Sequence, residues 1–281
     1  MSRIDAINVD HGFFSAEQAN DVIILKFKEE LLLRATDLSV KDIFFNYLDA
    51  VSECDAVKSI VIVGYSGKKG CQEYMDFLYY ALISQRDQWA KEKVFNAAAQ
   101  YILKLVNLPK IVVHADSGCI IPIFMNVSLA CDYRLIADNT VFETPYLELG
   151  LAPTGGGPFF LRKMLGKRKA LQLLLADKPL TADEALKLGI VDKVVPIDEL
   201  EDAALEVAKN FGKHNQRTLK TIKKLINYPQ DELKDYLEME TIELQKIVES
   251  KDFYSELQKS LNSENVLPQR GSFVSRSLTQ L

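Results

Sequence analysis

Lys110-Ile-Val-Val-His114 is an unbroken apolar strand pattern that stops at Asp116-Ser117-Gly118, and a second apolar run follows from Cys119 to Ala130. Next come Cys131-Asp132-Tyr133-Arg134-Leu135-Ile136-Ala137-Asp138, Phe142-Glu143-Thr144-Pro145-Tyr146-Leu147-Glu148-Leu149-Gly150 and Thr154-Gly155-Gly156-Gly157. The stretch closes on Leu180-Thr-Ala-Asp-Glu-Ala185 and Leu188-Gly-Ile-Val-Asp-Lys-Val-Val-Pro196. Apolar runs broken by these turn residues predict strand, tight turn, helix, strand, turn, helix.

Toward the N-terminus, Val22 to Phe27 reads as a strand and Lys58 to Val63 as a second, nearly all apolar, as expected of a strand covered on both faces. Between them Val40, Ile43, Phe44, Leu48 and Val51 fall at helical spacing. Gly64-Tyr-Ser-Gly-Lys-Lys-Gly70 is a glycine-containing loop without the Lys-Ser/Thr pair of a nucleotide loop. Met75, Leu78, Tyr79, Leu82 and Ile83 form a helical stripe, and another helix runs through Tyr101, Ile102 and Leu105. Strands alternating with helices indicate an α/β fold, and no GxGxxG follows any strand, which removes the dinucleotide fingerprint.

Beyond Pro196 the pattern is helical throughout: Glu199 to Phe211, then Leu219 to Ile226, then Asp231 past Val248. In the last of these Leu233, Leu237, Leu244 and Val248 share one face, and Phe253, Leu257 and Leu261 extend it. Such faces need cover, so an oligomer is expected.

The composition is 48% apolar with a net charge of −5 over 281 residues, enough for a sizeable core and unlike a nucleic-acid binder. The cysteines at 54, 71, 119 and 131 show no metal spacing, so no metal is expected. Cys119 and Cys131 lie in apolar runs, read as free buried thiols in a reducing, cytoplasmic compartment. Met1 to Asn20 lacks the apolar core of a signal peptide, no run is long enough for a membrane span, and the last residues are not a Ser-Lys-Leu address.

The order of residues from Lys110 to Pro196 resembles the crotonase (enoyl-CoA hydratase/isomerase) superfamily, with a weaker likeness over Val22 to Leu261. The resemblance implies an α/β crotonase-like (ClpP/crotonase) spiral of ββα units over residues 1–200, with a C-terminal helical trimerisation region over 201–281. It implies a homotrimer or a dimer of trimers. The ligand would be an acyl-CoA thioester, with coenzyme A as part of the substrate and no permanently bound cofactor. Two backbone N–H groups would hold the thioester oxygen while an enolate forms. By ungapped counting these are the N–H groups of Cys71 and Ile123.

The acid positions depart from the family. Hydratases place glutamates where this chain has Asn126 and Tyr146, which argues against water activation by paired carboxylates. Phe142 to Gly150 looks closer to the Δ3,Δ2-enoyl-CoA isomerases, which have an aromatic residue after the proline and a glutamate at the Thr154 position. Chromodomain-linked members share Thr-Pro-Tyr and are regarded as binding CoA without catalysis. Candidate substitutes for the missing acids are Glu143, Glu148 and Glu73, with Tyr146 as a possible proton donor; the plainer reading of Glu143 and Glu148 is solvated turn residues. Lys68, Lys69, Lys223 and Lys224 are candidates for CoA phosphates, or else solvated faces. His114 reads as structural: Ser117 is too close in sequence for a Ser-His pair and no acid partner stands out. Two functions follow from the resemblance, an isomerase- or hydratase-like enzyme working through an enolate, or a CoA-ligand-binding or assembly protein that kept the fold and lost the catalysis.

Overall fold

A computed structural model of the chain describes residues 7–28, 38–64, 77, 88–143, 146–147, 150–176, 178–228 and 230–262. Its larger sheet has seven strands in the order β1-β2-β3-β4-β5-β7-β10. These are β1 (Val9–Asp10), β2 (Phe14–Ala19), β3 (Val22–Phe27), β4 (Ser59–Val63), β5 (Ile111–Asp116), β7 (Tyr133–Ala137) and β10 (Lys193–Val195). The first three form an antiparallel meander, and every pairing from β3 onward is parallel. A smaller sheet joins β6 (Cys119–Ile120), β8 (Val141–Phe142) and β9 (Leu180–Thr181).

Alternation along the parallel strands splits the core in two. Val22, Val61, Val113 and Leu135 face one side, where Ala203, Ala204 and Ala208 of α6 (Leu200–Gly212) cover them. Alanines let the helix lie close on the strands. Ile23, Leu25, Ile60, Ile62 and Val112 face the other side. There they meet Phe44, Leu48 and Val51 of α1 (Leu38–Glu53) and Ile102 and Leu105 of α2 (Gln88–Asn107). A third apolar cluster joins Met125 and Leu129 with Phe142, Leu161, Leu173 and Leu180. It packs α3 (Pro122–Ser128), α4 (Gly157–Leu174) and α5 (Ala182–Leu188) around the small sheet.

The predicted strands and helices from Lys110 to Pro196 are present in the predicted order, and the α/β spiral class holds. β1 and β2 were not expected. β2 is Phe14-Ser-Ala-Glu-Gln-Ala19, whose short side chains and exposed Glu17 leave little apolar signal, and it joins β3 through Asn20 at φ 62. The stripe from Met75 to Ile83 lies outside the described residues apart from Phe77.

The helices after residue 200 differ from the expectation in what they cover. α6 lies flat on the sheet, and Leu233 and Leu237 of α8 (Gln230–Val248) enter the main core. Leu233, Leu237, Leu244, Val248 and Phe253 are all buried within the chain itself, so the stripe expected to need a partner is already covered from Leu233 to Phe253. The exposed apolar residues are a different set. Ile222, Leu225 and Ile226 project from α7 (Gln216–Ile226), Tyr228 follows it, and Met239 and Ile242 lie on the outer face of α8.

Cys54 and Cys131 are free, whereas Cys119 is disulfide-bonded, against the expectation of a free thiol there. Cysteine usage thus no longer supports a reducing compartment. Among the described residues no helix is long and apolar enough to cross a membrane.

α5 starts with a reciprocal cap: Thr181 Oγ1 accepts the Glu184 N–H at 3.3 Å, and Glu184 Oε2 accepts the Thr181 N–H at 3.0 Å. The Thr181 N–H, the Thr181 hydroxyl and Lys178 hold the Glu184 carboxyl down at about 2. A depressed carboxylate contributes stability above its ordinary value near 4.5 and loses it as pH falls toward about 2. Thr181→Ala is expected to lower the thermal midpoint by about 2–4 °C at neutral pH. Calorimetry between pH 7 and 2.5 should show the gap to wild type closing over that acid window; a gap that stays constant would refute this account of the cap.

Candidate active site

α3 opens with Pro122 as its first residue, where a missing N–H costs nothing. The N–H groups of Phe124 and Met125 both go to Ile121 O. Ile123 is the second residue of the helix, so its N–H is one of the first-turn donors that a helix cannot satisfy internally. The loop 154–157 lies against this turn: a Cβ on Gly155 would stand 3.6 Å from Ile123 O and 3.3 Å from Asn126 Cβ.

The triple glycine does two jobs. Gly155 and Gly156 have φ of 86° and 72°, a region that residues with a Cβ rarely occupy, and Gly156 is the N-cap of α4. Gly157 has an ordinary φ but no room for a side chain, since a Cβ there would come within 2.4 Å of Asn126 Cγ and Oδ1. The expected tight helix start is therefore present, and its third glycine makes space for an amide.

That amide links the site. Asn126 is wholly buried; its Nδ2 donates to Tyr146 Oη at 2.8 Å and to Thr154 O at 2.7 Å. Its Oδ1 is buried with no hydrogen-bond partner. Asn126, Tyr146 and Thr154, spread over 28 residues of sequence, thus form one bonded cluster beside the start of α3.

A carboxylate stands behind Thr154 that the sequence reading did not propose. Glu240 of α8 accepts the Gly155 N–H at 2.8 Å and the Gly156 N–H at 3.1–3.2 Å, and the Thr154 and Tyr236 hydroxyls stand close to it. Burial holds its carboxyl above the ordinary carboxylate value, against the pull of these donors. Burial likewise pushes the Tyr236 phenol up. A sequence signal existed: Glu240 lies in register with the buried stripe of Leu233, Leu237 and Leu244, where an unpaired acid is out of place.

The model for enoyl-CoA hydratase/isomerase matches residues 18–264. The chain belongs to the enoyl-CoA hydratase/isomerase family. Crotonyl-CoA hydratase from Syntrophomonas wolfei is 29% identical over 219 residues, 74% of this chain and 82% of that one. A probable mitochondrial enoyl-CoA hydratase from Dictyostelium discoideum is 33% identical over 123 residues, 44% of each chain. A trans-2-decenoyl-(acyl-carrier-protein) isomerase from Streptococcus mutans is 32% identical over 161 residues, 57% of this chain and 56% of that one. The match thus spans under two thirds of the Dictyostelium and streptococcal proteins. The crystal structure of an enoyl-CoA hydratase from Bacillus halodurans superposes with a TM-score of 0.77 at 22% identity, over 88% of this chain and all of that one, a likeness of fold.

In this family member the remaining candidates are scattered. Glu143 follows β8, half-buried, with its N–H on Ile120 O. Cys71, Lys68, Lys69, Glu73 and Glu148 lie outside the described residues. Lys224 is exposed. Lys223 is only 6% exposed, and its Nζ lies 2.6 Å from Asp132 Oδ2 and 3.1 Å from Lys110 O. It ties α7 to the Cys-Asp turn before β7 through a buried ion pair and is not the solvated lysine that its helix position suggests. His114 does have an acid partner after all: its Nδ1 is 3.0 Å from Asp116 Oδ2, two residues along the same strand face, with both side chains buried.

Gly157→Ala is expected to cost about 1–3 kcal/mol by overpacking against Asn126. In an Asn126→Ala background the same change should cost much less, because the opposing amide is gone. A double-mutant cycle by urea denaturation measures the coupling; additive effects would show that the two residues do not compete for this space.

Proposed function

We propose that this protein binds acyl-CoA thioesters and promotes their enolates, in the manner of an enoyl-CoA isomerase and not of a two-carboxylate hydratase. The observation that carries the reading is the bonded cluster of Asn126, Tyr146 and Thr154 beside the first-turn N–H of Ile123, which has no acceptor among the described residues. In an enolate the negative charge develops on the thioester oxygen, and a fixed N–H aimed there stabilises it in proportion to how little it must reorganise. Ile123 supplies one such donor in this reading and Cys71 the other. Tyr146 and Thr154 offer hydroxyls where family members offer carboxylates, and Glu143 is retained as a candidate acid. Lys224, Lys68 and Lys69 are the proposed contacts for the CoA phosphates.

A second reading, CoA-ligand binding without catalysis, is favoured by one observation. Asn126 and Tyr146 are buried and bonded to each other, so the two hydratase positions are closed by a polar contact that carries no charge.

Crotonyl-CoA hydration and isomerisation of C4 to C16 3-enoyl-CoAs, with acyl-CoA binding by calorimetry, separate the readings. Binding and isomerisation are expected, with hydration slower than isomerisation by at least about 100-fold, the lower end of what one general acid–base group contributes. Binding without turnover selects the second reading, and hydration at the rate of isomerisation overturns the first.

Assembly is proposed as a trimer or a dimer of trimers. Leu225 and Ile226 are 69% and 75% exposed and stand beside Ile222 and Tyr228, an apolar cluster at the end of α7 that the chain itself leaves open. Light scattering at micromolar concentration should give a trimer or hexamer mass; a monodisperse monomer would remove this part of the proposal.

A further inference from the structure

The isomerase-like reading leaves one gap, because no group in the cluster of Asn126, Tyr146 and Thr154 is a strong enough base to take a proton from carbon. Behind Thr154 lies a carboxylate that is 8% exposed. Helix capping alone does not account for it. The N–H groups of Gly155 and Gly156 at the helix start favour an anion, but a neutral amide or hydroxyl would satisfy them at a lower desolvation cost. The chain instead buries a carboxylate from a helix remote in sequence and turns the Thr154 hydroxyl onto it. Thr154 is then fixed through its carbonyl by Asn126 Nδ2, with its hydroxyl close to Glu240.

We propose that Glu240 supplies the acid–base function absent from position 154, acting through the Thr154 hydroxyl. The inference rests on the enolate reading above. In the forward step Thr154 Oγ1 takes a proton from the carbon bearing the acidic C–H, while its own hydroxyl proton passes to the Glu240 carboxylate. The C–H electron pair moves into the carbon skeleton and charge arrives on the thioester oxygen. Reversal delivers the proton from Glu240 through Thr154 to the other end of the allyl unit, so that the double bond moves and no co-reactant is consumed. Thr154 is the group that touches the substrate, and Glu240 is the proton store behind it. The groups facing Glu240 are the Tyr236 hydroxyl from its own helix and the Thr154 hydroxyl and two glycine N–H groups from the loop before α4. Its raised proton affinity comes from burial and suits a group that must take up and give back a proton.

The test is loss of the α-protons of hexanoyl-CoA in D2O, followed by proton NMR, with hexanoyl-CoA affinity and thermal midpoint measured on each variant. Wild type should exchange, at a rate that rises as Glu240 ionises, with an inflection above pH 4.5. Glu240→Gln should lower the rate about 100-fold or more and abolish the inflection, with affinity retained. Thr154→Val should lower the rate to the same degree and Thr154→Ser should restore it. Exchange by Glu240→Gln at the wild-type rate and with the wild-type pH profile would overturn the assignment while leaving the enolate reading intact. If Glu240→Gln does not fold, the Val and Ser variants decide, and wild-type exchange by Thr154→Val overturns the relay. Wild-type protein that binds hexanoyl-CoA and exchanges nothing overturns the enolate reading and this inference with it.

Discussion

The Asn126 amide fills the volume that a side chain at residue 157 would need, and the arrangement of the site depends on that contact. Its two N–H bonds fix the ring of Tyr146 on one side and the backbone of Thr154 on the other. Each such bond contributes only about 1 kcal/mol net, but leaving the buried partners unsatisfied would cost about 1–3 kcal/mol apiece. The cluster is therefore held less by the strength of its bonds than by the penalty for breaking them. Its unpartnered Oδ1 is the exception, a buried acceptor that the fold leaves without a donor.

The sheet places this amide. Parallel strands β4 and β5 are buried throughout most of their length, which requires cover on both faces, and α6 provides it on one side through alanines. β5 ends at Asp116, and the chain turns within a few residues into β6 and then α3. The short connection leaves α3 little freedom, so Ile123 and Asn126 inherit their positions from the strand. The Lys223–Asp132 pair adds a buried ionic tie between α7 and the next strand, with Asp132 also accepting the Val112 N–H.

Much of this was legible. Apolar runs punctuated by Asp-Ser-Gly and by the triple glycine specify the strands and helix starts from Lys110 to Pro196, because such buried segments have few alternatives. The resemblance then marked Asn126, Tyr146 and Thr154 as places to look. What could not be read depends on which distant faces meet. Lys223 looks like any lysine on a polar helix until Asp132 is brought to it. Leu233, Leu237 and Leu244 announce a buried stripe without saying whether the cover is the same chain or another. Glu240 sits within that stripe, and only its spacing hinted that it was buried; nothing local indicated that two glycine N–H groups from a loop 84 residues earlier would receive it.

That separation has a consequence for the order in which the molecule is made. As the chain leaves the ribosome, every strand through Val195 is available before α8 exists. The sheet and the turns that carry Asn126 and Thr154 can assemble first, with the Gly155 and Gly156 N–H groups still turned to water. Docking of α8 then replaces that water with the Glu240 carboxylate. A chain shortened before α8 therefore keeps every strand in its sequence but lacks both the carboxylate that closes this loop and the Leu233 and Leu237 side chains that complete the main core.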